Sequence, residues 1–434
     1  MKLEKKIQTE TIYAFSYKFI GILISFFSVP ILINYLGKDS YGLWITISSV
    51  LSWFLLFDFG LGLGLRNKLT EVLSAKDYET SKKLIASAYI SITIIFLVIL
   101  GILLIIINHI NWNEIFNTFL FKNQQLTQLL RITVFGFCLI FIFQIISNLL
   151  YAVHDSSKVQ LIKTLRQLVV FIPIALLIKS EDSFVDIYKV ATIGSLAPLL
   201  VLILFNTLFF KKYKRITPRL TDFNFNITKS ILYLGAKFFV LRLSSIVLVT
   251  SLPFLITRYI GVNETANYNI GFKFFGIIQM GLAIILMPYW AAVAEKYSSK
   301  DFIWIKKGLK KTIQLSILGV LAIVILCLLS TYIIPIWIGN SVLINYQTIY
   351  WAALLVSVFI ITEPLIIFLS GTSKVEIQTY YSIAIIILVI PISLWLFYKT
   401  KLGLGAFIIT PVAFRLIRSL HAFFQLKRIL SVKE

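Results

Sequence analysis

The sequence has little charge, and the charge that it has is strongly unbalanced. Only 14% of the 434 residues are charged, and the 41 lysines and arginines outnumber the 19 acidic residues. Hydrophobic residues make up 59% of the chain, and the mean hydropathy is +0.90. Water-soluble globular proteins do not have this balance. We therefore expect an all-α integral membrane protein without a soluble domain.

Residues that commonly carry enzymatic chemistry are also scarce. The two cysteines, Cys138 and Cys327, fall inside apolar segments, which argues against a disulfide or a thiolate metal site. The histidines His109, His154 and His421 are isolated, and none has the spacing of a metal ligand. No P-loop motif occurs, so ATP is not expected as the energy source. The sequence thus predicts no catalytic residue, no metal and no cofactor.

Long apolar segments fill most of the chain. A membrane-spanning helix needs about 20 mostly apolar residues, and twelve segments meet this need. They are 12–35, 41–65, 84–107, 129–151, 162–178, 187–210, 231–257, 267–292, 312–335, 346–370, 377–398 and 403–424. The basic start of the chain resembles a signal peptide but lacks a small-residue cleavage site, so we expect an uncleaved first helix.

The basic residues concentrate in alternate loops, on the side of the N-terminus. The main clusters are at 2–6, 66–83, 158–166, 211–229, 296–311 and 427–433. Cytoplasmic loops of membrane proteins carry such an excess of lysine and arginine. The basicity therefore predicts topology, with both termini in the cytoplasm, and does not indicate a nucleic-acid partner.

The chain resembles itself at an offset of 224 residues. EVLSAKDY at 71–78 aligns with EKYSSKDF at 295–302, and SVP at 28–30 resembles SLP at 251–253. We therefore predict two six-helix lobes, 1–212 and 230–434, joined by a cytoplasmic linker at 213–229. Six crossings restore the original orientation, so the repeat is parallel, and transporters built this way bind substrate between the halves.

A charged, glycine-rich element at 57–71 (FDFGLGLGLRNKLTE) carries a family resemblance. Asp58 lies inside an apolar run, and membrane-embedded charges usually face a bundle interior or a wet pathway. Together with SVP at 28–30 and LGKDSYGLW at 36–44, this element resembles the Wzx-type O-antigen flippases. These form the polysaccharide-exporter branch of the superfamily that includes multidrug and toxin extruders and lipid II flippases.

The resemblance implies a function in polysaccharide export. It implies a V-shaped pair of six-helix bundles in the bacterial cytoplasmic (inner) membrane. It also implies translocation of an undecaprenyl-diphosphate-linked oligosaccharide, an O-antigen or capsule repeat unit, from the inner to the outer leaflet. A polysaccharide polymerase and a chain-length regulator are further implied partners. The glycan itself is not specified.

A diphosphate headgroup needs a cationic, wet route through hydrocarbon, because burying unpaired charge is costly. The candidate substrate-binding residues are Lys18, Arg242, Lys273, Arg415 and Arg418. Arg242 lies about 18 Å into its helix at 1.5 Å per residue, whereas Lys237 is near enough to the cytoplasm to snorkel. Arg415 and Arg418 share a helix face, where they either bind phosphate or snorkel to anionic lipids at the inner surface.

Two acidic residues, Asp58 and Glu363, are candidates for ion coupling or gating. Lys18 and Asp58 lie at similar predicted depths, so a structural ion pair is the alternative for them. Glu363 lies at a depth similar to that of Arg415. We expect a bridge between these two that either opens during transport or serves only packing.

Three other functions remain open at this point. A multispan polymerase or glycosyltransferase needs reactive residues outside the membrane, but the longest predicted outer loop, 108–128, has only Glu114 as an acid. A multidrug and toxin extrusion antiporter has the same fold, although the bundle cations favour an anionic substrate. Lipid II flippases resemble fourteen-helix chains, whereas this sequence predicts twelve spans.

Overall fold

The computed structural model describes residues 2–53, 61–153, 155–339, 342–372 and 376–431. Within them the regular structure is entirely helical, with two short 3₁₀ turns, Lys214–Ile216 and Leu220–Asp222. The α-helices are α1 (Lys2–Leu36), α2 (Lys38–Trp53), α3 (Leu61–Ser74), α4 (Tyr78–Ile107), α5 (Trp112–Ile115), α6 (Asn123–Phe143), α7 (Ile146–Ala152), α8 (Ser156–Leu176), α9 (Ser183–Lys212), α10 (Phe225–Tyr259), α11 (Val262–Ser298), α12 (Phe302–Ile338), α13 (Tyr346–Gly371), α14 (Glu376–Lys399) and α15 (Leu404–Ser431).

These helices account for the predicted membrane spans. Ten spans in the described residues are long and apolar enough to cross a membrane, with α6 and α7 forming one of them. The second predicted span corresponds to α2 and α3, which flank residues 54–60 outside the described part. The seventh corresponds to α10, which contains the apolar stretch Val247–Tyr259. The prediction of an all-helical membrane protein with about twelve spans is confirmed.

Several helices begin earlier than the hydropathy predicts. The fifth span was expected at 162–178, but α8 begins at Ser156, and the ninth was expected at 312–335, but α12 begins at Phe302. The added residues include Lys158 in α8 and four lysines among residues 302–311 of α12. Lysine is a good helix former, and its long side chain reaches water from the end of a span. Apolar content therefore marks the hydrocarbon crossing but not the helix ends.

One compact unit comprises residues 1–40 and 47–242. In this unit α1 packs against α8, α6 against α9, and α3 against α4 and α7. The Thr164 hydroxyl on α8 donates a 2.7 Å hydrogen bond to the Tyr17 carbonyl on α1. The segment predicted as a linker packs here too, because Ile216 is buried and the Asn224 amide donates to the Ser87 hydroxyl of α4 at 3.0 Å.

The glycine-rich element continues into α3, where a glycine permits close helix packing. A Cβ atom added at Gly64 would lie 2.9 Å from the Cγ2 of Ile231 and 3.0 Å from its carbonyl carbon. At these distances the neighbouring Ile231 would have to move to admit a side chain. The glycine therefore lets the backbones of α3 and α10 approach, as small residues commonly do in membrane helices.

The second compact unit comprises residues 41–46 and 243–434. Helix α13 is central to it and packs against α11, α12 and α15. One of its apolar clusters includes Tyr268, Leu355 and Phe407, which are almost fully buried. The short segment from α2 joins this unit through Tyr41, whose hydroxyl donates a 2.6 Å hydrogen bond to the side-chain oxygen of Asn269 on α11.

The two segments that align at the 224-residue offset form the same turn. In each, a lysine after the helix adopts a left-handed backbone conformation, with φ of 57° at Lys76 and 62° at Lys300. The amides of Lys76 and Asp77 donate to carbonyls of α3 at 3.0 and 3.1 Å, and those of Lys300 and Asp301 donate to carbonyls of α11 at 3.2 and 2.9 Å. Both turns have the Schellman hydrogen-bond pattern of a helix C-terminus.

The aspartate of each turn also begins the next helix. Asp77 accepts a 3.0 Å hydrogen bond from the Thr80 amide of α4, and Asp301 accepts a 3.1 Å bond from the Trp304 amide of α12. Hydrogen bonding to Thr80 lowers the pKa of the Asp77 carboxyl, and the bond from the Trp304 amide lowers the pKa of Asp301. The sequence similarity therefore extends to backbone geometry and capping, which supports an internal duplication.

Candidate functional site

Arg415 on α15 and Glu363 on α13 form an ion pair inside the second unit. The Arg415 Nη2 lies 2.5 Å from the Glu363 Oε2, and the two side chains are 13% and 32% exposed. The Arg415 Nε donates a 3.0 Å hydrogen bond to the Thr362 hydroxyl, and the guanidinium carbon lies 5.1 Å from the centre of the Phe359 ring. The pair that the sequence places at similar depths is thus present, with an aromatic face beside the cation.

Two prolines stand near this pair. Pro364 follows Glu363 in α13, and Pro411 precedes Arg415 by about one turn in α15. Proline removes a helical hydrogen bond and is a common cause of a kink. The Thr362 hydroxyl donates to a carbonyl one turn earlier, so its oxygen is left to accept from Arg415. The pair therefore lies at points where both helices can bend.

Arg418, one turn further along α15, is more deeply buried. Only 9% of its surface is exposed, and its Nε donates a 2.5 Å hydrogen bond to the Gln378 Oε1 on α14. The Gln378 side chain is buried as well, and its Nε2 has no hydrogen-bond partner among the described residues. In the same part of the chain, the buried Nδ1 of His421 also has none.

We refer to Arg415, Arg418, Glu363, Gln378 and His421 as the C-terminal polar cluster. With the histidine neutral, two arginines and one glutamate give this cluster an excess of one positive charge. All three helices that carry it are candidate membrane spans. Uncompensated charge is costly at such depth, so the cluster is chemically suited to hold an anionic group. Arginine is also the side chain best fitted to phosphate oxygens.

Among the described residues, no contact joins the other predicted site residues to this cluster. Lys18 is on α1 of the first unit, where it is half-buried and has no partner among the described residues. Lys273 is on α11, partly buried and already engaged with neighbouring groups. Asp58 lies outside the described residues. The backbone of α10 is described at Lys237 and Arg242, but their side chains lie outside the described part.

Sequence reasoning missed Gln378 and two carboxylates, the buried Asp186 and the partly buried Glu264. Asp186 on α9 is 1% exposed and accepts 2.8 Å hydrogen bonds from the hydroxyls of Tyr35 and Ser180. Glu264 on α11 accepts hydrogen bonds from several polar side chains, including that of Asn345 at 3.0 Å. Both acids lie just before a predicted span, within three residues of its start, so the hydropathy pattern places them in loops. The signal that could have identified these carboxylates is the presence of other polar residues near the ends of the predicted spans, such as Ser180 and Asn345.

Comparison with known proteins shows the family. A family model described as "Polysaccharide biosynthesis protein" matches residues 7–293, more than half of the chain. The chain is 26% identical over 322 residues to a Yersinia pseudotuberculosis protein whose name describes O-antigen export, covering 71% of this chain and 70% of that protein. It is 24% identical over 275 residues to a Salmonella typhi protein whose name describes an O-antigen transporter, covering 62% of this chain and 60% of that protein.

Solved structures share the fold over nearly the whole chain. The inward-facing conformation of a multidrug resistance MATE family transporter of the MOP superfamily has a TM-score of 0.73 at 15% identity, covering 98% of this chain and all of that one. An outward-facing conformation of a transporter with the same description has a TM-score of 0.66 at 16% identity, covering 99% and 97%. At these identities the likeness shows the fold alone.

Proposed function

Because the chain belongs to the polysaccharide biosynthesis protein family, we propose that it is a flippase for a lipid-linked oligosaccharide. Its substrate is an undecaprenyl-diphosphate-linked repeat unit of O-antigen or capsule, moved from the inner to the outer leaflet of the bacterial inner membrane. The family match, the two relatives named for O-antigen export and transport, and the transporter fold support this proposal. The chain acts as a transporter and not as an enzyme.

The observation that carries the substrate assignment is the excess positive charge of the C-terminal polar cluster. Arg415 pairs with the Glu363 carboxylate, whereas Arg418 donates to the neutral Gln378, and both arginines and the glutamate lie within candidate spans. A diphosphate carries negative charge that needs such partners on its way through the bilayer. The polyprenyl tail meanwhile stays in lipid, so the protein has to solvate only the headgroup and the sugars.

The proposed mechanism is alternating access by two lobes, 1–212 and 230–434, joined at 213–229, with both termini in the cytoplasm. Parallel repeats commonly move in this way around a site between them. Lys18, Arg242 and Lys273 are proposed as further contacts of the anionic headgroup. Asp58 is proposed as a coupling site, and the Glu363 pair with Arg415 as a gate that opens during transport. A polysaccharide polymerase and a chain-length regulator are the proposed partners.

A second candidate function is multidrug extrusion, which is the function named for the solved structures that share the fold. The two functions differ in the charge of the substrate. An extruder of cationic drugs needs acidic residues in its pathway, whereas the C-terminal polar cluster is positively charged. Loss of drug resistance with unchanged surface polysaccharide in a deletion strain favours extrusion.

The test of the proposed function is deletion of the gene in a strain with no second flippase. Lipid-linked repeat units are expected to accumulate on the cytoplasmic face while surface polysaccharide is lost. Expression of the wild-type chain restores the surface polymer. Unchanged surface polysaccharide in the deletion strain contradicts the proposal.

A further inference from the structure

A polar cavity of about 240 Å³ lies inside the first unit, between α3, α4 and α8 and the junction of α6 with α7. Its polar lining consists of Gln144, Ser147, Asn148, Tyr151, Lys163 and Arg166. Among the residues that the structure describes, no acidic side chain lines it. The cavity thus combines two cationic side chains with neutral hydrogen-bonding groups, and it is separate from the C-terminal polar cluster.

Arg166 is the residue that makes this cavity unusual. It lies ten residues inside α8, or about 15 Å from the start of the helix at 1.5 Å per residue. Its Nη1 donates a 3.1 Å hydrogen bond to the Oε1 of Gln144, and this is its one partner among the described residues. A guanidinium has five donor N–H groups. Most of them therefore remain for a ligand, and the charge has no described counter-ion at a depth where bare charge is costly.

The surrounding backbone is shaped to form the cavity. Between α6 and α7 the Ser147 amide bonds to the Gln144 carbonyl at 3.0 Å, three residues back instead of four. Such a tightened turn inside a long helix often marks a functional position. A Cβ added at Gly62 would lie 3.1 Å from the Asn148 Cγ, so the glycine leaves room for that amide.

A third cation lies at the edge of the cavity. The Arg66 guanidinium carbon is 4.5 Å from the centre of the Tyr151 ring, and Tyr151 lines the cavity. Together with Lys163 and Arg166, this residue gives the described part of the region three cationic side chains. Arginines and a lysine beside amide and hydroxyl donors form the set of groups that binds phosphate oxygens.

We propose that this cavity binds the phosphate or diphosphate group of a lipid headgroup, with Arg166 as its principal ligand. The volume is below the ~300–1,000 Å³ of typical small-molecule pockets, which suits a phosphate group and excludes a whole oligosaccharide. The site is a docking position on the side where α8 begins. Identification of the lipid as the transported diphosphate rests on the proposed function, whereas the binding of lipid phosphate does not.

The test measures binding to the purified full-length protein in phosphatidylcholine nanodiscs. One arm uses radiolabelled farnesyl diphosphate, a polyprenyl diphosphate without sugars, and the other uses fluorescent phosphatidylglycerol. Arg166→Gln is expected to weaken binding of at least one probe by about tenfold or more, because a charge-assisted bidentate contact is lost. Arg166→Lys should be intermediate, since it keeps the charge but loses the planar fork.

Matched variants separate the site from general charge effects and from misfolding. Arg131 also donates to a side-chain amide, that of Asn108 at 3.1 Å, but it is exposed and does not line this cavity. Arg131→Gln should therefore leave binding of both probes unchanged. Lys163 is exposed at the cavity, so Lys163→Gln folds normally and should weaken binding by a smaller factor even where Arg166→Gln proves unstable.

The arms also identify the lipid. If Arg166→Gln weakens binding of farnesyl diphosphate alone, the site is assigned to the polyprenyl diphosphate. If it weakens binding of phosphatidylglycerol alone, the site is assigned to a bilayer phospholipid. Binding of both probes that is unchanged in folded Arg166→Gln and Lys163→Gln, or equally weakened in Arg131→Gln, overturns the proposal. Because no transport is measured, Arg166-dependent binding can stand even if the flippase proposal fails.

Discussion

Removing the carboxylate of the Glu363–Arg415 pair should destabilise the protein more than removing the arginine. Glu363→Ala leaves Arg415 in place, and among the described residues its side chain then keeps only the Thr362 hydroxyl and the Phe359 ring as partners. Breaking a fully buried pair costs about 3–5 kcal/mol. The carboxylate here is 32% exposed, so we expect about 2–3 kcal/mol after a discount for solvent screening.

Arg415→Ala is the milder change, because the remaining Glu363 is less buried, at 32% exposure, than Arg415 at 13%. We expect a loss of about 1 kcal/mol from the hydrogen bonds and packing. The double alanine variant should fall near Arg415→Ala and be more stable than Glu363→Ala, since no unpaired cation remains. This order is the signature of a coupled pair in a double-mutant cycle.

Thermal unfolding in nanodiscs measures these differences. At about 2–4 °C per kcal/mol for a unit of roughly 200 residues, Glu363→Ala should lower the Tm by about 4–12 °C. The control is Glu79→Ala, which removes a 2.7 Å pair with Lys82 whose carboxylate is 74% exposed, and the Tm should then change little. Equal effects of the two single variants that add in the double variant would refute the reasoning.

Three further predictions follow from the fold and the proposed transport. Lys76→Gly and Lys300→Gly should each raise the free energy of unfolding by about 0.5–1 kcal/mol, and the Tm with it, because glycine adopts positive φ without steric cost. A lowered Tm for both variants contradicts the turn assignment. Gly64→Val should lower the Tm clearly, whereas Gly101→Val, with nothing near its added Cβ, should not; equal Tm values contradict the close approach of α3 and α10. Collapsing the membrane potential at a constant pH gradient in proteoliposomes should slow outward transfer, because moving two negative charges across 100 mV gains about 4–5 kcal/mol; insensitivity to the potential shows that a coupled ion supplies the energy.

The spans could be predicted from the sequence because the bilayer fixes their length and polarity. Each crossing needs a long apolar run, and the described helices supply one at nearly every predicted place. The repeated turns were also visible, since the lysine and aspartate of 76–77 recur at 300–301 with the same hydrogen bonds. Helix ends were not predictable from hydropathy, because charged turns such as those that open α12 remain helical beyond the hydrocarbon.

The candidate site was predictable only where charge and depth coincide. Arg415 and Glu363 are charges within apolar runs, so the expectation that they meet needed only their positions along two helices. Gln378 has no charge to mark it, and its contact with Arg418 depends on how α14 packs against α15. Arg166 was assigned to a cytoplasmic basic cluster because α8 was expected to begin six residues later than it does.

The central claim is that this chain moves a lipid-linked oligosaccharide between leaflets. The most direct measurement uses proteoliposomes that contain undecaprenyl-diphosphate-linked repeat units and follows how fast the sugar becomes accessible in the opposite leaflet. We predict transfer that depends on the protein and is strongly reduced when Arg415 and Arg418 are both replaced by glutamine. Transfer equal to that of protein-free liposomes, in vesicles whose protein is folded and correctly inserted, would contradict the account.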